Sequence, residues 1–137
     1  MNIRAFEAND IEQVVNILQG LSKFEPDFKN YEAIAKSFIE KSNIHALVAL
    51  FDGVIVGYGS IIIEEKVRGG KAGHIEDIVS HADYRQKGIG KKIVDSLIQI
   101  AKSHGCYKVL LQSQKHNINF YKKSGFEESG ISMQIFL

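Results

Sequence analysis

Apolar and polar residues alternate from Ile3 to Phe6 with the period of a short strand, and the spacing then turns helical. Ile11, Val14, Val15, Leu18 and Leu21 share one face behind an Asn9-Asp10 cap, with Glu12 and Gln13 placed for a capping box. A loop through Ser22, Phe24 and Pro26 leads to a second predicted helix, capped by Asn30, with Ile34, Phe38 and Ile39 facing inward. This helical pair is positioned to roof a substrate site. His45 to Phe51, an Asp52-Gly53 turn and Val54 to Ile63 read as a β-hairpin with antiparallel strands. Glu64 to Gly73 is polar and glycine-rich, and reads as a loop at a mobile edge of the site. A strand over Ile75 to Val79 follows. Ile89, Ile93, Val94, Leu97, Ile98 and Ala101 then recur at helical spacing up to a stop at Gly105. A strand (Lys108 to Gln112), a short helix (Asn117 to Ser124) and a terminal strand (Ser132 to Leu137) complete the order. The expected fold class is α/β (α+β): a mixed, mostly antiparallel central sheet flanked by helices.

With 137 residues and 45% hydrophobic content, the chain is expected to form one domain, residues 1–137. Its net charge of +1 provides no bulk field for nucleic acid or an anionic membrane. The single cysteine, Cys106, cannot form an internal disulfide and reads as a small buried hydrophobe, so a reducing, cytoplasmic setting is expected. No apolar stretch is long enough to span a bilayer. His45, His74, His81, His104 and His116 lack metal-ligand spacing and are read as non-ligands. His74 and His116 flank the candidate site strings and are expected to face solvent.

Arg85-Gln86-Lys87-Gly88-Ile89-Gly90 carries the strongest chemical signal. It follows a strand and opens a helix, where glycines allow close backbone approach and the helix N-terminus offers partial positive charge to an anion. The cations around it, Lys91 and Lys92 included, favour a polyanion. The string is neither G-x-x-x-x-G-K-[ST] nor the three-glycine dinucleotide fingerprint, so kinase, ATPase and Rossmann readings lose their support.

This loop, taken with Asn117-Ile118-Asn119-Phe120-Tyr121 and Gly125-Phe126, resembles the GNAT superfamily of acetyl-CoA-dependent N-acetyltransferases. Gly73-His74-Ile75-Glu76-Asp77-Ile78, Gly105-Cys106-Tyr107-Lys108 and Ser129 to Ile135 resemble segments of the glucosamine-6-phosphate N-acetyltransferases. The resemblance implies acetyl-CoA as cosubstrate, with Ile78, Val79 and Ser80 pairing with pantetheine and Arg85, Gln86, Lys87, Gly88, Ile89, Gly90 and Lys91 holding the pyrophosphate. Asn117 and Tyr121 belong to its thioester segment. It places Glu76, Asp77, Tyr107 and Lys108 at the sugar, with Gln112 where the family has an acidic residue, and it implies sites near a homodimer interface. Some members carry a basic residue where this chain has Phe136; Arg68, Lys71 and Lys108 are alternative sources of charge for a sugar phosphate. It further implies a place in UDP-N-acetylglucosamine biosynthesis.

Acetyl transfer from a thioester needs a neutral amine, an oxyanion stabiliser and a proton for the departing thiolate. Backbone N–H groups near Ile78 and Val79 can serve the oxyanion if the strand splays from its neighbour. Tyr121 is the candidate general acid, since a phenol of pKa about 10 lies close to a thiol of about 8.5. Glu76 and Asp77 are adjacent on a strand and are expected on opposite sheet faces, so one assists the amine and the other is structural. Nothing suggests a covalent enzyme intermediate, and no metal is expected. Other acceptors (free glucosamine, a polyamine, a protein terminus) and a non-catalytic acetyl-CoA sensor are the alternatives.

Overall fold

Five strands form one sheet in the order β1-β2-β3-β4-β5 in the computed structural model, which describes all of residues 1–137. β1 (Asn2–Ala5), β2 (Ile44–Phe51), β3 (Val54–Glu65) and β4 (Lys71–Ser80) pair antiparallel, whereas β5 (Cys106–Leu111) runs parallel to β4. A parallel pair needs a crossover, and α3 (Ile89–Ser103) supplies it. The remaining helices are α1 (Ile11–Leu18), α2 (Tyr31–Ile39) and α4 (Ile118–Lys122).

Each sheet face has its own core. The α3 spacing predicted from sequence packs Ile89, Ile93, Val94, Leu97 and Ala101 against Ala49, Val56, Ile61 and Ile75. Glycines on β3 bring this helix unusually close: a Cβ at Gly57 would lie 2.6 Å from Ile89, and one at Gly59 would lie 2.7 Å from Ile93. On the other face Val14 of α1 packs with Val48, Ile55, Tyr58 and Val79. The Asp52-Gly53 turn joins β2 to β3 as expected, both residues adopting positive φ.

Four expectations need correction. Asp10 does not cap α1 with its side chain. It is buried and accepts two hydrogen bonds from Arg4, at 2.7 and 2.9 Å, and one from the Glu7 N–H at 2.8 Å. Burying a carboxylate is tolerable only with such partners. On α2 the inward face is Tyr31, Ala35 and half-buried Phe38, while Ile34 and Ile39 are exposed. The polar stretch from Glu64 to Gly73 is mostly hairpin: Glu64 pairs with Ala72 and Glu65 with Lys71, and the Lys66 N–H donates to the Gly70 carbonyl at 2.7 Å. Polar residues can line a strand whose faces meet water. The terminal strand has no ladder partner within the chain; Ile131, Met133, Ile135, Phe136 and Leu137 are each at least 82% exposed.

Candidate active site

β4 is irregular at its C-terminal end. Tyr58 pairs with Val79 and Ser60 with Glu76, so Gly59 faces two residues, Asp77 and Ile78. Asp77 takes up the extra residue with φ 57°, a left-handed conformation costing roughly 1 kcal/mol for a residue with a Cβ. The bulge flips the alternation: Ile75 and Ile78 both pack toward α3, while Val79 joins the core under α1. Simple alternation therefore does not run unbroken through Glu76 and Asp77, and both are exposed at the bulge.

The parallel ladder between β4 and β5 ends at Ile75 with Leu111, yet β4 continues to Ser80. Beyond Ile75 the β5 side of β4 is an open edge, because β5 itself ends at Leu111. Gln112 follows Leu111 where the ladder ends.

After β4 the chain turns through Ala82–Tyr84 into the glycine loop. Gln86 adopts φ 67° and Gly88 φ 74°, and Gly88 is the N-cap of α3 with no side-chain bond closing the helix end. First-turn N–H groups have no intrahelical acceptor, so this end is open to an anion. Gly90 keeps Phe120 close: a Cβ there would come within 3.0 Å of the ring. An uncapped N-terminus on a glycine-backed cradle fits a diphosphate. Lys91 is held by Asp95 at 2.7 Å, and Ser124 donates to the same carboxylate at 2.8 Å, which ties α3 to the end of α4. The hydrogen bond from Lys91, more than its charge, holds the Asp95 carboxyl below the usual range.

A cleft of ≈ 920 Å³ joins these parts. It contains Ile78, Val79 and Ser80 from the open edge, Arg85, Gln86, Gly88, Ile89, Gly90 and Lys91 from the loop and helix, and Asn117 and Tyr121 from the start and body of α4. Tyr121 packs edge-on between Phe120, at 4.9 Å, and Phe126, at 6.0 Å. Burial raises its phenol above the ordinary value, so it stays protonated at neutral pH, though it becomes a weaker acid. Sequence reasoning missed Gly20, Leu21, Tyr84 and Lys123, and left Phe120 without a role, yet all five line the cleft. His116 lines it too, as an exposed side chain. Tyr84, Phe120 and Lys123 adjoin the recognised strings, but nothing local marks Gly20 and Leu21.

Other candidates lie elsewhere. Lys87 is exposed on the loop but does not line the cleft, and neither do Glu76 and Asp77 at the bulge or Gln112 after β5, all of them exposed. Tyr107 and Lys108 stand at the opposite end of β5; Tyr107 lies against Gly70, and Lys108 reaches over the Tyr107 ring at 5.5 Å. His74 bonds Glu64 at 3.2 Å, away from the cleft. Cys106 is half-buried against the α3 core. No helix is long and apolar enough to cross a membrane.

Comparison with known proteins gives a consistent result. Residues 11–126 match the Acetyltransferase (GNAT) family. The chain is 39% identical over 103 residues to a glucosamine 6-phosphate N-acetyltransferase 1 of Dictyostelium discoideum, covering 72% of this chain and 66% of that protein. It is 34% identical to the glucosamine 6-phosphate N-acetyltransferase of Trypanosoma brucei brucei, over 100% of this chain and 96% of the relative. The crystal structure of glucosamine-6-phosphate N-acetyltransferase from Arabidopsis thaliana superposes with a TM-score of 0.93 at 32% identity, covering 98% of this chain and 97% of that one.

Proposed function

The chain belongs to the Acetyltransferase (GNAT) family, and from that premise we propose that it transfers the acetyl group of acetyl-CoA to the amine of glucosamine 6-phosphate, by direct attack with both substrates bound. The observation that carries this reading is the single cleft in which the open β4 edge, the uncapped α3 N-terminus and Tyr121 meet.

Acetyl-CoA supplies an activated thioester whose sulfur leaves with the bonding electron pair. The diphosphate rests on the N–H groups of Gly88-Ile89-Gly90, with Arg85, Gln86, Lys87 and Lys91 around it. Ser80 and Asn117 contact the pantetheine arm. The backbone N–H of Ile78, on the open edge, hydrogen-bonds the acetyl carbonyl as negative charge develops there, while Val79 stays paired with Tyr58 of β3. Tyr121 gives its proton to the departing sulfur. Glu76 or Asp77 takes the amine proton, directly or through water, while the other carboxylate and Gln112 bind sugar hydroxyls.

On this reading residues 1–137 act as one domain in the cytoplasm, and the product feeds UDP-N-acetylglucosamine synthesis. The protein works as a homodimer. The alternating Ile131, Met133 and Ile135 segment, fully strand-like in pattern but without a partner in its own chain, supports that assembly, as does the free edge of β5. Tyr107 and Lys108, remote from the cleft of their own chain, then serve the sugar only across the dimer. A different amine is the second reading, favoured by neutral Gln112 and apolar Phe136 at positions where charge is implied.

Release of free CoA with glucosamine 6-phosphate, glucosamine, spermidine and a peptide amine tests the assignment. Saturable turnover with the sugar phosphate alone supports it; turnover with another amine alone replaces the substrate, and none with any amine removes the activity.

A further inference from the structure

Given the proposed acetyl transfer, the acceptor must be held still beside the open edge of β4, and its nearest carboxylates stand on a strained bulge. Neither Glu76 nor Asp77 takes part in a hydrogen bond or ion pair through its side chain that would fix its direction. A left-handed non-glycine residue persists only where its surroundings over-determine it. Part of that constraint is core packing, since Ile75 and Ile78, three residues apart, both pack into the core under α3.

The rest comes from two residues of β3 that the sequence reading did not single out. Tyr58 and Ser60 lie on the same face of β3, opposite Val79 and Glu76, and so bracket the bulge. The Tyr58 ring is buried edge-on against Phe6 at 6.0 Å, and Phe6 in turn packs edge-on against Phe38 of α2 at 5.9 Å. Its hydroxyl is adjacent to Ser60. Ser60 is itself buried and donates to the Glu76 carbonyl at 3.4 Å, a long bond directed at the residue before the extra one. Burial chiefly, with the negative charge of Asp77 adding to it, pushes the Tyr58 phenol up to about 12. The Tyr58 hydroxyl therefore keeps its proton, and the charge of Asp77 lies within electrostatic range of it.

We infer that Tyr58 and Ser60 are positioning residues for the acceptor amine: acting through the Glu76–Asp77 bulge, they fix the carboxylates that receive it against the open edge at Ile78. They touch neither the thioester nor the diphosphate cradle. Their removal therefore separates acceptor handling from acetyl-CoA handling.

The test uses the full chain with Tyr58→Phe, which keeps the ring packing, and Ser60→Ala. The expected result is a KM for the amine raised about five- to tenfold, the equivalent of one lost hydrogen bond, with the KM for acetyl-CoA and the melting temperature near wild type. Backbone amide exchange at residues 76–79 should also quicken in Tyr58→Phe. Combining Tyr58→Phe with Asp77→Asn should give less than the sum of the two effects, because both act through one bulge. An amine KM within twofold of wild type, or an equal loss of acetyl-CoA affinity, overturns the inference. Wild-type protein inactive on every amine overturns the proposed reaction instead, and unchanged exchange at 76–79 in Tyr58→Phe then overturns the positioning role independently.

Discussion

Tyr121 illustrates how one side chain can be chosen from sequence for a chemical reason and then given a different energetic setting by its neighbours. The ordinary phenol pKa made it an attractive proton donor, but burial between Phe120 and Phe126 raises that pKa, so the proton is held more tightly. Proton donation is then worthwhile mainly as negative charge builds on sulfur. Tyr121→Phe should lower kcat by about 10²-fold, within the range for lost general acid catalysis, while the acetyl-CoA Kd from calorimetry stays nearly constant. Full turnover in that variant at every pH rules out the proton transfer. Gly88 is a different case, because its φ of 74° matters as much as its missing Cβ. Gly88→Val should weaken acetyl-CoA binding by roughly tenfold or more, since a β-branched residue must leave the left-handed region and take the α3 cap with it. Equilibrium dialysis with acetyl-CoA reads this directly. Both residues were legible because they sit in dense local strings. Tyr58 was not, since a tyrosine within an apolar strand looks like ordinary core until its partner across the sheet is known.

Among the elements, α3 was the most legible: its apolar spacing runs unbroken, and a two-face protein offers such a stripe only one place to go. Its C-terminal end holds a contact that the sequence did not announce, where His104 approaches His45 at the start of β2 with ring nitrogens 3.2 Å apart. Burial first, and the proximity of His104 second, lower the His45 pKa. In the unfolded chain the imidazole takes a proton near pH 6.5, whereas in the fold it does so only at lower pH. Between those values the unfolded chain binds more protons, so acidification favours unfolding. The melting temperature should therefore fall as pH drops from about 7.5 through 6, and His45→Gln should flatten that dependence. A slope unchanged in His45→Gln would assign the acid sensitivity to other groups. Simple alternation fails at the end of β4 for a related reason: it assumes an unbroken ladder, and the bulge at Asp77 lets Ile75 and Ile78, three residues apart, pack into the same core while Val79 joins the other.

At the scale of the whole molecule, the apolar C-terminal residues stand uncovered by their own chain. Isolated strands with exposed apolar side chains gain neither ladder hydrogen bonds nor burial, so the segment from Ile131 to Leu137 is expected to order against a second copy. Sedimentation velocity should find a dimer for the full chain and a monomer after removal of residues 130–137; a monomeric full chain would remove the assembly from the proposal. The sequence by itself determined most of the helices and strands, the glycine loop that opens α3 and the family resemblance, because periodicity, glycine placement and short contiguous strings are local properties. Only the tertiary structure decided that Gly20 and Leu21 meet residues from Ile78 to Lys123 in one cleft, that the β4–β5 ladder ends at Ile75, and that Tyr58 and Ser60 bracket the bulge at Asp77. Those relations depend on strand register and on which side chains win space in two competing cores, and neither is written within any one segment of the chain.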